Sequence, residues 1–390
     1  MPHDPIAAVT APDPYPYYRD LVAERPVYRD EKLGMWVVSG VAAVEAILAA
    51  PAACVRPPAE PVPKPLVGST AGAVFGAFAR MTEGPMQVAM KHAIRAALAN
   101  VTSDGVAAPA RAWLSSRLPD GEAVCAGTLN EILSALPVWV VASLLGVPAA
   151  QRAEVTDLTA AFVAGLAPSA TAERTDGANR AAARLLEILR PLLVAQEEGT
   201  LPRLRAAGSD LPCAAVLANA LGLLFQTYDA TAGLIGNTLL AAARDRDAYV
   251  RAANRSRLLD FVDEVQRHDP PVHNTRRFLA ADLNVAGQSM ERGETVLVVL
   301  AAANHDPAAN VAPERFDIDR ANRRSFTFGA GRHVCPGTVI ATAIAAAAAE
   351  VLVPRLADLD CMAGSIGYRP LPNARIPVFG QNNMMRGGIA

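Results

Sequence analysis

Phe328-Gly329-Ala330-Gly331-Arg332-His333-Val334-Cys335-Pro336-Gly337 runs directly into an alanine-rich, helix-period stretch that begins near Thr338. That order places Cys335 at a helix N-terminus, where free amides and the helix dipole stabilise an anion, so the thiol is expected to ionise readily. Gly329, Gly331 and Gly337 let the backbone turn tightly and come close to a large flat ligand or to the sulfur. The functional reading of the pattern is a thiolate axial ligand. Two other readings compete with it. A phosphate cradle is one, but the G-x-G is not completed to G-x-G-x-x-G and no strand leads into it. A buried, inert cysteine is the other, and cysteine usage alone favours it.

Working outward, the 390 residues carry 36 basic and 38 acidic side chains, a net charge of −2, with 19% charged residues. Such a balance offers no field for nucleic acid or an anionic membrane. With 52% hydrophobic residues, 27 glycines and 30 prolines, the composition is globular rather than disordered. Met1-Pro2-His3-Asp4 starts no basic region followed by an apolar run, so cytoplasmic synthesis is expected. The most apolar stretch, Thr338 to Val353, is mostly alanine and includes Glu350, which predicts a buried helix rather than a membrane span. The five cysteines are odd in number, widely separated and form no C-x-x-C pair, which excludes a disulfide framework and a zinc ribbon.

Strand signals are few: Met35 to Val38, Asp282 to Val285, Glu294 to Leu300, and a proline-punctuated tail from Tyr368 to Phe379. Helix-period segments fill most of the rest, at 41–50, 87–100, 129–145, 151–166, 178–198, 211–244, 247–267 and 338–356. The expectation is a mainly α fold with small β-sheets, in one domain over residues 1–390, since no fixed-period repeat and no long Gly/Ser linker divides it. Pro57, Pro58, Pro61, Pro63 and Pro65 forbid a continuous helix at the start of the segment 57–84, which predicts a substrate-contacting lid loop.

The ten residues from Phe328 to Gly337 resemble the heme-binding loop of the cytochrome P450 family, in which this cysteine ligates heme iron. Glu264-Val265-Gln266-Arg267 resembles that family's E-x-x-R helix, and Pro313-Glu314-Arg315-Phe316 its meander, whose arginine would join Glu264 and Arg267 in a structural cluster. Ala303-Asn304-His305-Asp306-Pro307 and Arg315 to Arg320 are similar to bacterial soluble members, and the likeness is collinear from about Asp13 to Phe379. The resemblance implies a triangular helical array around a buried heme b bound by Cys335, with Phe328, Gly329 and Gly337 shaping its loop. It further implies heme-propionate contacts from His333, from Arg277 (or its neighbour Arg276), and from Gln87 and Lys91, which stand where the family usually has His and Arg four apart.

The likeness also fails at one place. In Gln226-Thr227-Tyr228-Asp229-Ala230-Thr231 the family's approximate pattern is Ala-Gly-x-(Asp/Glu)-Thr-Thr, an acid–alcohol pair that delivers protons to bound dioxygen. Asp229 matches the acid and Thr231 the second threonine, but Ala230 replaces the first, and a methyl group neither donates a proton nor holds a water in line. A substrate group or water, or Gln226, Thr227 or Thr231, would have to complete the relay. The larger Gln226 and Thr227 narrow the pocket, and Arg375 in the tail is expected to reach into it and meet a substrate carboxylate.

The functional expectation is a monooxygenase of specialised metabolism acting on a small organic molecule. No flavin or iron–sulfur module fits beside such a fold in 390 residues, so electrons would pass from NAD(P)H through a ferredoxin reductase and a ferredoxin. The alternatives are oxidative coupling, desaturation or a peroxide-driven reaction without oxygen insertion, and a heme-binding protein without turnover.

Overall fold

Helices form where apolar residues recur at helical spacing, and each ends where the backbone is forced out of it. The computed structural model describes residues 2–118, 123–194, 199–254, 256–356 and 366–380. Its axis is a helix of 32 residues, Cys213–Arg244. The helix Ala126–Leu145, stopped by the left-handed Gly146, and the alanine-rich helix Thr338–Leu352 both pack against it. Both are long and apolar enough to cross a membrane, yet 56% and 67% of their apolar windows are buried inside the protein, so both serve as core helices here. Small alanine side chains let Thr338–Leu352 lie close against Ser103–Arg117, a helix the periodicity does not reveal. The expected single helix over 247–267 is two, Arg246–Asn254 and Leu258–His268, because Ser256 sits at φ 55, outside right-handed helix space.

The strands are β1 (Val27–Asp30), β2 (Met35–Val38), β3 (Ala53–Cys54), β4 (Thr275–Leu279), β5 (Leu283–Val285), β6 (Gln288–Met290), β7 (Thr295–Val298), β8 (Gly367–Tyr368) and β9 (Pro377–Val378). Five of them make one sheet in the order β1-β2-β7-β4-β3, and β5-β6 and β8-β9 are separate hairpins. Within the proline-rich segment the prolines do prevent a long helix, but Thr70–Gly76 forms a short one, capped where Ser69 Oγ accepts from the Gly72 N–H at 3.0 Å. It buries Val74 and Phe75, and just beyond it the buried Phe78 stacks on Phe225 of the central helix at 5.5 Å.

Arg375 is the first correction to the sequence reading. It is completely enclosed, donating to Asp269 at 3.2 Å and to the carbonyls of Val9, Ala11 and Pro12, with its guanidinium 3.6 Å from the centre of the Tyr368 ring. It therefore pins the N-terminal segment to the core and is not free to meet a substrate. Tyr15 donates to the same Asp269 at 2.5 Å and stacks on His305 at 4.4 Å, and Tyr18 pairs with His273 at 2.8 Å.

Burial holds His273 and His305 neutral by pushing both pKa values down to about 3. In the unfolded chain both protonate below about 6.5, so folding stability is intact above that pH and falls as pH drops toward 3, at ~1.4 kcal/mol per pH unit for each histidine. Urea unfolding at pH 7 and pH 5 is expected to show a loss of up to about 4 kcal/mol from this pair. A midpoint that does not move between those pH values rules the pair out as the acid-labile element.

Candidate functional site

The loop from Phe328 to Gly337 closes on itself because its glycines can adopt positive φ. Gly329 and Gly331 stand at φ 70 and 65, and a Cβ on Gly331 would come 2.8 Å from the Leu48 carbonyl oxygen. The Cys335 N–H donates to the Phe328 carbonyl at 2.8 Å, and the Gly337 N–H, at the cap of the following helix, donates to Cys335 Sγ at 3.3 Å. Upstream, Asn304 fixes where the loop begins, its Oδ1 accepting from the Phe326 N–H at 2.7 Å and its amide donating to Thr327 at 3.1 Å. Asn304 lies in the stretch that resembles bacterial soluble members, but nothing in the sequence singles it out.

The helix position does not by itself acidify the thiol. Burial raises the Cys335 pKa, while the Gly337 N–H and the charges of Lys91 and Arg80 act against it. Lys91 is buried and its pKa is pushed down to about 8, chiefly by burial, with Cys335 opposing. Arg277, on β4, is pushed down to about 10 by burial and bonds only Thr275 Oγ1 and the Arg276 carbonyl among the described residues. Arg80 was not singled out from the sequence. It keeps accessible surface, desolvation lowers its pKa, and its charge interacts with those of Cys335, Lys91 and Arg277.

Two of the expected polar contacts have other partners. His333 Nε2 pairs with both Glu83 oxygens at 3.1 Å, leaving its buried Nδ1 without a hydrogen bond, and the Gln87 amide donates to the Arg332 carbonyl at 3.2 Å. The site thus combines a sulfur on a glycine turn, the two buried cations Lys91 and Arg277 with the more exposed Arg80 charge-coupled to them, and one unsatisfied ring nitrogen. Buried cations of this kind need anions. A flat, doubly anionic ligand that carries a metal ion fits this donor set.

Behind the loop, Arg267 binds Glu264 through Nε at 3.0 Å and Nη2 at 2.6 Å, both side chains being fully buried. The third member is not Arg315, whose side chain is 70% exposed and, among the described residues, reaches only Asp317. Arg320 at 3.2 Å and Arg323 at 2.8 Å take that place, and Arg315 contributes only its carbonyl, which accepts from Arg267 at 2.9 Å. The turn after Phe316 directs the arginine side chains of 320 and 323 inward, which no local periodicity signals.

The central helix runs unbroken past the sequence departure, with no opening at 226–231. Thr227 and Thr231, one turn apart, hydrogen-bond each other at 3.0 Å and are both buried. The amide of Gln226 donates to the Gly222 carbonyl at 2.8 Å, within its own helix. Asp229 and Ala230 keep accessible surface, and Asp229 pairs with Arg369 at 3.1 Å. Burial raises the Asp229 pKa and Arg369 pulls it back.

With this geometry in hand, the profile described as Cytochrome P450 matches residues 205–352. Cytochrome P450 monooxygenase PikC of Streptomyces venezuelae is 29% identical over 385 residues, covering 94% of this chain and 89% of that protein. The biotin biosynthesis cytochrome P450 of Bacillus subtilis (strain 168) is 31% identical over 145 residues, covering 37% of each. Among solved structures, P450BioI in complex with an acyl carrier protein ligated to hexadec-9Z-enoic acid superposes with a TM-score of 0.79 at 22% identity, covering 94% of this chain and 97% of that one. CalO2 superposes with a TM-score of 0.77 at 24% identity, covering 94% of each chain.

Proposed function

The chain belongs to the cytochrome P450 family and is an oxidoreductase of that family, and on that premise we propose that it is a monooxygenase of specialised metabolism working on a small organic molecule. It acts as one domain in the cytoplasm and receives electrons from NAD(P)H through a ferredoxin reductase and a ferredoxin. The family binds heme through a cysteine thiolate, and Cys335 is the residue assigned to it here. The observation that carries this reading is the Cys335 sulfur on its glycine turn, charge-coupled to Arg80 and Lys91. Lys91, Arg277 and Arg80 would hold the two propionates of heme b, with His333 and Gln87 closing the loop side.

Heme, when bound, supplies the oxygen activation. The chain's own residues hold the cofactor, exclude water and supply protons. Asp229 is the proton-handling group that reaches accessible space. Thr227 and Thr231 bond to each other inside the helix packing, which disfavours either as the missing alcohol. A substrate group or an ordered water then completes the relay beside Ala230. The proline-rich segment 57–84, anchored to the central helix by Phe78 against Phe225, would serve as the substrate-contacting lid. The relative named for biotin biosynthesis and the neighbour solved with an acylated carrier protein support a biosynthetic substrate, free or carrier-bound.

Asp229→Asn is expected to slow turnover by ~10²-fold or more while substrate binding changes little. Ala230→Thr should not improve the yield of product per electron, because the substrate group already fills that position. A rise in yield with less peroxide released would overturn the substrate-assisted relay. The second reading, coupling or desaturation without oxygen insertion, is favoured by the same buried threonine pair. Labelled dioxygen separates the two, since only oxygenation places the label in the product. Nicotinamide consumption that no candidate substrate stimulates would count against turnover altogether.

A further inference from the structure

Two of the chain's three tryptophans, Trp113 and Trp139, share the wall of one cavity. It holds about 520 Å³, the size of a small-molecule site, and opens to solvent beside the helices Ser103–Arg117, Ala126–Leu145 and Arg152–Leu166. No residue assigned to the heme lines it. The indole centres are 6.2 Å apart, and Tyr228 of the central helix adds a third ring. Trp113 is 5% exposed, and its indole N–H has no acceptor among the described residues. The exposed carboxylates of Glu131 and Asp157 also line the cavity, and among the described residues neither has a hydrogen-bond or ion-pair partner. Of the cations in the wall, Arg369 is committed to Asp229 at 3.1 Å, and Arg117 lies over the Trp113 ring at 4.4 Å. Arg152 lies over Trp139 at 4.8 Å, so the fold already uses both indoles as platforms for cations.

With Arg369 neutralised by Asp229, two carboxylates stand against the single guanidinium of Arg117, and the wall carries a net negative charge. Aromatic faces are also negative and attract ammonium groups, most strongly those with hydrocarbon substituents that pack on the ring. We propose that this cavity is a second binding site, apart from the heme, for a small organic ammonium compound: Glu131 and Asp157 neutralise the cation, and the rings of Trp139 and Tyr228 pack against its carbon substituents. An occupant that also carries an oxygen offers the Trp113 N–H the acceptor it lacks, and a buried donor left unpaired costs free energy that such an occupant recovers. The site stands independently of the heme-thiolate reading, because none of its residues is assigned a part in that chemistry.

The test titrates the ferric holoprotein with choline, a compact ammonium that carries a hydroxyl, and with neohexyl alcohol, its neutral isostere, following the broadening of the ligand's methyl resonance. Choline should bind and the isostere should not, and added salt should weaken the binding. The double variant Glu131→Gln/Asp157→Asn should weaken choline by about fivefold or more. Both side chains are exposed and unpartnered, so that variant should keep the wild-type thermal midpoint. Trp139→Leu should weaken choline as well, while Trp139→Phe keeps a ring and most of the affinity. Arg117→Gln removes the opposing charge and uncovers the Trp113 face, so it should tighten choline by about twofold or more. Choline that binds no better than the isostere overturns the proposal. So does an affinity unchanged in the carboxylate double variant, which would place the probe elsewhere in the protein. Weaker binding in Arg117→Gln overturns it too, since the cavity would then favour anions. Failure of the heme-thiolate reading shows separately, as a missing carbonyl band in wild type, and leaves these titrations standing.

Discussion

Cys335→Ser is expected to abolish the red-shifted absorbance band that this family shows in its reduced carbon monoxide complex. The band depends on electron density from a thiolate, and a neutral hydroxyl donates far less. The surrounding geometry makes the substitution informative. The loop is held by the Cys335 N–H to the Phe328 carbonyl and by the Asn304 contacts, none of which uses the sulfur, so a serine should fold into the same turn. Heme content can be measured independently of the band, which separates loss of the ligand from loss of the cofactor. Cys54, Cys125 and Cys213 changed to Ala should each leave the band in place, as should Cys361, which lies outside the described residues. An unchanged band in Cys335→Ser would remove the assignment.

Arg267→Ala should cost ~3–5 kcal/mol and give mostly heme-free or misfolded protein, because it removes the guanidinium that donates twice to one oxygen of a fully buried carboxylate. It also leaves the carbonyls of Pro313 and Arg315 without their donor. Burial pushes the Glu264 pKa up, but Arg267 and its neighbours hold it below the ordinary glutamate value, so the anion persists. Glu264→Ala should be at least as damaging, since it leaves Arg267, Arg320 and Arg323 facing one another. Arg315→Ala is the internal control: its exposed side chain predicts a change within about 0.5 kcal/mol. Heme content and urea midpoints of the three variants decide the matter. A stable, heme-loaded Arg267→Ala would reduce the pair to an ordinary ion pair.

Cys335 could be found in the sequence from its place between glycines at the start of a helix, whereas the roles of Glu264, Arg267 and Asp229 were implied only by the resemblance to the family's motifs. Arg80, Arg320, Arg323 and Arg369 could be found by neither route. A long, flexible guanidinium can reach several places, and only the chain's return over tens or hundreds of residues decides which. Arg375 shows the same limit from the other side: its place in the tail suggested a pocket, while the fold uses it against Asp269 and three N-terminal carbonyls. The two threonines at 227 and 231 were legible as alcohols one turn apart, but the burial of the face that carries them depends on helix rotation fixed by packing. The break at Ser256 was hidden because the residues on both sides keep helical spacing.

Glu83 gathers Arg332 Nε at 2.8 Å, His333 Nε2 at 3.1 Å and the Val55 N–H at 3.0 Å around one carboxylate whose pKa is held at about 2. Arg332 meanwhile donates to the carbonyls of Ala50 and Ala53. These contacts join stretches some 250 residues apart in the chain. Their entropy of closure has therefore been spent once for both. The cysteine loop and the edge of the proline-rich segment should then exchange their amide hydrogens as a single cooperative unit. Departure of whatever lies between them would be timed by the opening of that clasp rather than by the strength of any one contact to it.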